Sequence, residues 1–361
     1  MFNRAVIAAI LFLIAADLFA QSPSPSPAKA PPASPTPAPT TEQMINSLGE
    51  NDLQAAISLL KSNFTNPEAI TDSELNRATL QGLLLRMPGG LQLLPGKEAA
   101  PAEPGGSFYA EIFENHIGYA RLGTLDSANL KELDKKLQEF AGKKVDAVIV
   151  DLRASGSGDF AAAAEFAKRF CPKGKPLFSV RKPGSRQDRA FSSDRDPAFQ
   201  GLIVVLSDGE TAGGGEALAG VLKLYNKALI IGQSSAGRAA EYSDLPLPSG
   251  KILRVASAAV LLPDGQPLFP AGVKPDLPVE TSFAEKNQIF KLANEKGMAQ
   301  FVYETERPHL NEAALIAGTN PELDIPDAQR RLRNREKQPP HDPVLQRALD
   351  VVTSLEIYQK R

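Results

Sequence analysis

The chain has 361 residues, with 40 Lys and Arg against 42 Asp and Glu, no tryptophan and one cysteine. A net charge of −2, without a long basic run on any predicted face, gives nucleic-acid binding no electrostatic basis. The single Cys171 excludes an intramolecular disulfide, so stability must come from burial.

In chain order, Arg4, an apolar run over 5–16 and then Asp17-Leu18-Phe19-Ala20-Gln21 have the charged, apolar, small-residue order of a secretory signal peptide. Cleavage is expected after Ala20, which makes 1–20 a leader and the mature protein secreted or periplasmic. The apolar run is far shorter than the roughly 20 residues that span a bilayer, so no stable membrane span is expected after cleavage. Residues 21–41 are Ser, Pro and Ala with almost no bulky side chains, which predicts a disordered Pro/Ser-rich linker.

Over 42–94 the pattern is helical. A Thr71-Asp72-Ser73-Glu74 capping box opens a segment with Leu75, Ala78, Gly82 and Leu85 at helical spacing, and the whole stretch reads as a helical N-terminal cap. Residues 95–106 form a Pro/Gly/Ala linker. From 107 to 281 short apolar strands alternate with amphipathic helices, the pattern of an α/β domain. Strands are predicted at 108–113, 117–122, 147–152, 177–180, 202–206, 228–231 and 252–260. Helices are predicted after the N-cap Asp126, with Leu130, Leu133, Leu137 and Phe140 on one face, over about 159–170, and after Thr211. The length from 108 to 280 suffices for one core and not comfortably for two. Residues 282–361 read as a helical C-terminal extension, closed by a helix that Asp342-Pro343 caps.

Several motifs follow one another in fixed order. They are Ile117-Gly118-Tyr119-Ala120-Arg121-Leu122, then Val150-Asp151-Leu152-Arg153 with Gly156 and Gly158, and then Leu202-Ile203-Val204-Val205-Leu206 leading to Thr211-Ala212-Gly213-Gly214-Gly215-Glu216. Ile230-Ile231-Gly232, Gly237-Arg238, Pro263-Asp264-Gly265 and Gly272-Val273-Lys274-Pro275-Asp276 complete the series. Across roughly the middle half of the chain this resembles the core of the C-terminal processing, or tail-specific, serine proteases. The resemblance implies a crotonase/ClpP-like β-spiral core and a Ser/Lys dyad. It puts the nucleophile at Gly213 and the base at Arg238, so both halves of the dyad are degenerate. It further implies an oxyanion hole built from the Gly214 N–H and from Ser157-Gly158, and it associates Lys223-Leu224 with a supporting polar pair. Family members usually carry a PDZ domain between the cap and the core, where this chain has only the linker 95–106.

A glycine has no side-chain atom with which to attack a carbonyl, and a guanidinium cannot accept the proton that a buried lysine amine takes. Losing a nucleophile costs about a million-fold, and an oxyanion hole with binding alone retains roughly 10³ to 10⁴ over water. Thr211, Ser155, Ser157, Ser234 and Ser235 are hydroxyls near the same groove. None has a histidine or lysine close in sequence, and they are expected to cap helices or bond to backbone. His116, His309 and His341 are scattered without a ligand partner at helical spacing, so no metal and no cofactor is expected.

Ser157, Gly158, Gly214 and Arg238 are therefore expected to bind. A permanent planar cation beside a helix N-terminus suits the carboxylate of a polypeptide C-terminus. The alternative for Arg238 is an ion pair with Glu216, Glu210 or Glu241 that plugs the groove and leaves a scaffold. The leading expectation is a secreted pseudoprotease that binds polypeptide C-termini or serves as a scaffold. An active serine-type endopeptidase with a rearranged site and an apolar small-ligand carrier, known for this fold type, are the alternatives.

Overall fold

The computed structural model describes residues 40–96, 106–153, 155–156, 159–302 and 340–359. The expected leader, the linker as far as 39, Ser157, Gly158 and His309 lie outside these residues. The chain divides into two compact units, 1–74 and 75–361. In the first, α1 (Thr41–Ser47) begins at a capping box in which Thr40 accepts from Gln43 N, and α2 (Glu50–Asn63) follows; neither helix has a buried residue. The Thr71 hydroxyl accepts from Glu74 N at 3.2 Å where α3 (Asp72–Arg86) opens.

The end of the expected helical cap is different. Leu91–Leu94 is a strand, β1, which pairs antiparallel with β10 (Ile252–Leu261). Leu91, Leu93 and Leu94 alternate too little to announce a strand by themselves, and pairing with a longer strand decides their state.

Two sheets form the second unit. The larger contains β2 (Tyr109–Phe113), β3 (Ile117–Arg121), β4 (Ala147–Asp151), β7 (Leu202–Ser207), β8 (Ala228–Gly232) and β11 (Leu277–Pro278), in the order β11-β8-β7-β4-β3-β2. All neighbours are parallel except β2 with β3. The smaller sheet joins β1, β10, β5 (Pro176–Arg181) and β6 (Arg189–Ser192), with β9 (Ala240–Pro246) also on β10. The crossovers are α4 (Ser127–Gly142), which the Asp126 carboxylate caps at 2.8 and 2.9 Å, α5 (Phe160–Ala167), and α6 (Gly214–Leu224).

The expectation of a single core is corrected by the parallel strands, which are apolar on both faces because both are covered. Along β4, Val148 and Val150 enter one cluster with Leu133, Phe140, Phe166, Leu218 and Val260. Ile149 points the other way, into a cluster with Tyr119, Val204 and Leu206. The second cluster is completed by Ile289 and Ala293 of α7 (Phe283–Lys296) and by Val344, Leu345, Ala348 and Val352 of α8 (Pro343–Gln359). The C-terminal helices thus close a core of the α/β domain.

Candidate active-site cleft

Where β7 ends, Asp208 Oδ1 accepts from Glu210 N at 3.0 Å and Thr211 N at 3.1 Å, turning the chain sharply. Thr211 Oγ1 donates to Leu152 O at 2.9 Å, and Ala212 N donates to Ser155 O at 3.2 Å, which holds the corner against the loop after β4. Gly213 then precedes α6 with φ 53° and ψ −114°, a conformation open to glycine. A Cβ at Gly213 would meet nothing within 4 Å. The next residue, Gly214, opens the helix, and its N–H has no acceptor among the described residues.

After β8 the chain turns again through Ser235, Ala236 and Gly237 to Arg238. Gly237 has φ 65°, and a Cβ there would lie 2.0 Å from Pro270 O, so this turn requires glycine. One buried carboxylate joins the turn to the corner. Glu216 Oε2 accepts from Gly213 N at 3.0 Å and Arg238 N at 2.8 Å, while Oε1 accepts from Gly237 N at 2.6 Å and Ser235 Oγ at 2.6 Å. Burial pushes the Glu216 carboxyl above its usual range, opposed by the Ser235 hydroxyl and the three backbone donors. Gly213, Gly214 and Arg238 therefore stand together around Glu216.

The expected plugging pairs are not made. Glu216 is occupied as described, Glu210 Oε2 accepts from Lys286 Nζ at 2.5 Å, and Glu241 Oε1 accepts from Arg189 Nη2 at 2.5 Å. Among the described residues the Arg238 guanidinium, half-buried, has no hydrogen bond and no ion pair. Its stem lies against Gly89, whose carbonyl accepts from the Tyr242 hydroxyl at 2.8 Å.

The hydroxyls are otherwise engaged. Ser155 is buried and donates to Gly123 O at 2.8 Å; Ser235 donates to Glu216 and accepts from Val273 N at 2.7 Å; Ser234 is exposed. The one buried amine at this corner is Lys286 of α7, which sequence proximity could not reveal because it lies far downstream. It contacts Asp208 Oδ2 and Glu210 Oε2, both at 2.5 Å, so it is paired with two carboxylates. His116 Nε2 faces Glu356 Oε2 at 2.9 Å, and its Nδ1 faces Glu114 O at 2.6 Å, so it serves a contact between a hairpin and α8.

Arg153 is fully buried between Asp151 and Asp342. Its Nη2 lies 2.6 Å from Asp151 Oδ2 and 2.8 Å from Asp342 Oδ2, and its Nη1 lies 2.8 Å from Asp342 Oδ1. Tyr119 donates to Asp151 Oδ2 at 2.7 Å, and Asp342 caps α8 by accepting from Val344 N and Leu345 N. Burial pushes the Asp342 carboxyl up, but the Arg153 charge and these donors hold it below the usual aspartate range.

Residues 116–279 match peptidase family S41. The chain carries a peptidase family S41 domain. Its relatives include the chloroplastic carboxyl-terminal-processing peptidase 2 of Arabidopsis thaliana, 29% identical over 48% of this chain and 34% of that protein. The carboxyl-terminal-processing protease of Synechocystis is 28% identical over 47% of this chain and 40% of that one. The carboxy-terminal processing protease CtpB of Bacillus subtilis is 22% identical over 60% and 47%. The chain thus spans less than half the length of these curated relatives. A solved structure of a candidate peptidase from Parabacteroides merdae shares the fold, with a TM-score of 0.50 and 16% identity over 67% of this chain and 85% of that one.

Within the S41 domain, Glu216 is a residue whose role the sequence understated. Its position three residues into α6 marks it as a first-turn acid, the one local signal available. Glu216→Gln leaves one acceptor oxygen for four donors. A loss of about 3 kcal/mol in urea unfolding is expected, from two buried N–H groups left unsatisfied; a loss below about 1 kcal/mol would show that the clamp is dispensable.

Proposed function

We propose that this S41 domain binds polypeptide C-termini without hydrolysing them, as an exported pseudoprotease. The observation that carries the reading is the shared Glu216 oxygen: the backbone N–H groups of Gly213 and Arg238 donate to the same atom, so the backbone at the two positions that resemble the family's nucleophile and base lies side by side. With glycine at the first and guanidinium at the second, neither position carries an attacking atom or a proton acceptor. What the site does hold favours an anion, namely the Gly214 N–H at the start of α6, buried and without an acceptor among the described residues, and a half-buried guanidinium with no partner among them. Ser157 and Gly158, outside the described residues, belong to the same proposed oxyanion-binding arc.

The same reading takes residues 1–20 as an export leader to a secreted or periplasmic location, and the linker that follows as a tether ending at 39, one residue before the Thr40 cap of α1. It treats the parallel strands β3, β4, β7 and β8, with their intervening helices, as a crotonase/ClpP-like spiral. The named relatives are C-terminal processing proteases, which supports a polypeptide C-terminus as the ligand class.

Calorimetric titration tests this with one peptide as the free acid and as the C-terminal amide. The free acid is expected to bind at least tenfold more tightly, and Arg238→Gln is expected to abolish the difference, since a charge-assisted pair contributes about 1.5–3 kcal/mol. Equal affinities for acid and amide would remove the carboxylate reading.

A further inference from the structure

The stretch 168–196 carries nine Lys and Arg against three Asp, a local net charge of +6 in a chain of −2, which leaves −8 on the remainder. The sequence pattern hid this because the cations are scattered through a hairpin and its flanks instead of forming a run. In the structure Arg169 is buried against Asp134 and Glu165 and Lys168 pairs with Glu165 and Asp194, while the other seven lie on β5, β6 and the turns beside them, and every residue of the segment 181–187 is exposed. Lys173, Lys182 and Arg186 have no side-chain hydrogen bond or ion pair among the described residues. Arg181 and Arg189 are paired to Asp188 and Glu241, yet their side chains are 60% and 53% exposed. At the foot of the hairpin a cleft of about 300 Å³ is lined by Pro172, Lys173, Asp196, Pro197 and Lys227 among others.

We infer that the β5–β6 hairpin and its foot form a docking surface for an anionic lipid bilayer. Charged residues on an edge strand such as β6 also guard against unwanted strand pairing, but Lys173, Lys182 and Arg186 lie off the strand, where that guard is not needed. Nucleic acid fits poorly, because the aromatic residues here offer no stacking platform: Phe170, Phe178 and Phe199 are buried and Phe191 is half-buried. A folded acidic partner would need a complementary shape. Cations on a projecting loop and around a headgroup-sized cleft instead suit a fluid layer of phosphates, which adapts to them. The foot borders Ile203 at the start of β7, whereas the Gly213 corner follows the end of that strand. Docking there leaves the cleft of the S41 domain open.

Co-sedimentation of the full chain with phosphatidylcholine vesicles, with and without phosphatidylglycerol, tests the inference. The leader, which carries Arg4, is common to wild type and variant, so the readout is the difference between them in the gain on adding phosphatidylglycerol. That gain is expected in wild type and expected to vanish in high salt. Lys182→Gln with Arg186→Gln should reduce it ~25-fold, at about fivefold for each cation near the surface, with the thermal unfolding midpoint unchanged. No dependence on phosphatidylglycerol, or an unchanged gain in the double variant, overturns the inference. So does displacement from the vesicles by RNA or polyglutamate at low concentration, which would assign the surface to a soluble polyanion.

Discussion

Arg153→Met is expected to destabilise the protein by roughly 3–5 kcal/mol, because it leaves two buried carboxylates without their cation. Asp151 and Asp342 are 0% and 2% exposed, and they share this one guanidinium. The consequence reaches beyond the pair. Asp342 caps α8, and α8 supplies Val344, Leu345, Ala348 and Val352 to the second core, so losing the anchor exposes that face. The same group sets an acid limit. Asp342 titrates below the ordinary aspartate value of 3.8, so its contribution is full above that value and is lost as the pH falls from there through the folded-state pKa. Urea unfolding of wild type and variant checks both statements. A cost under about 1 kcal/mol would mean that the triad is replaceable by apolar packing without a rescuing change. Arg153→Met combined with Asp151→Asn and Asp342→Asn is expected to regain part of the loss.

Gly213→Ser together with Arg238→Lys is expected to create reactivity towards a fluorophosphonate that neither single variant has. A side chain at Gly213 meets no atom within 4 Å, so the volume for a serine is open. Its φ of 53° costs such a residue about 1–3 kcal/mol of strain, which the surrounding clamp can sustain. Lysine at 238 supplies an amine that can lose its proton, on a residue whose backbone N–H shares the Glu216 oxygen with that of residue 213. Because nucleophile and base act as a unit, either substitution alone leaves the reaction about where glycine and arginine left it. Labelling of the double variant alone is the expected result. Labelling of Gly213→Ser by itself would show that another base serves the cleft, and labelling of neither would show that the two positions do not face each other productively.

Much of this architecture was legible because burial on both faces leaves continuous apolar runs. Val148-Ile149-Val150 and Ile203-Val204-Val205 read as strands without help, and Asp126 and Asp342 announced helix starts through their capping chemistry. The strands that went unread are short or edge elements. Arg189–Ser192, Ala240–Pro246 and Leu277–Pro278 carry little apolar alternation, and their state is set by a neighbour. The second core was illegible for another reason: its lid arrives from 283–296 and 343–359, and no local pattern says which sheet face a distant helix will cover. At the site, the glycine and arginine were visible as residue types. What sequence could not supply were the occupations: Glu216 taken by backbone, Glu210 by Lys286, Glu241 by Arg189. With those three contacts made, the Arg238 guanidinium has no ion-pair partner among the described residues, which the sequence does not reveal.

Fluorophosphonate labelling of the wild-type protein, with the adduct mapped by mass spectrometry, bears most directly on the proposed absence of hydrolysis. No adduct is expected at any residue, since Thr211, Ser155 and Ser235 are each held in hydrogen bonds and the one amine at the corner is held by two carboxylates. A stoichiometric adduct on one of these hydroxyls, or on Ser157 or Ser234, that disappears when that residue is changed to alanine would contradict it.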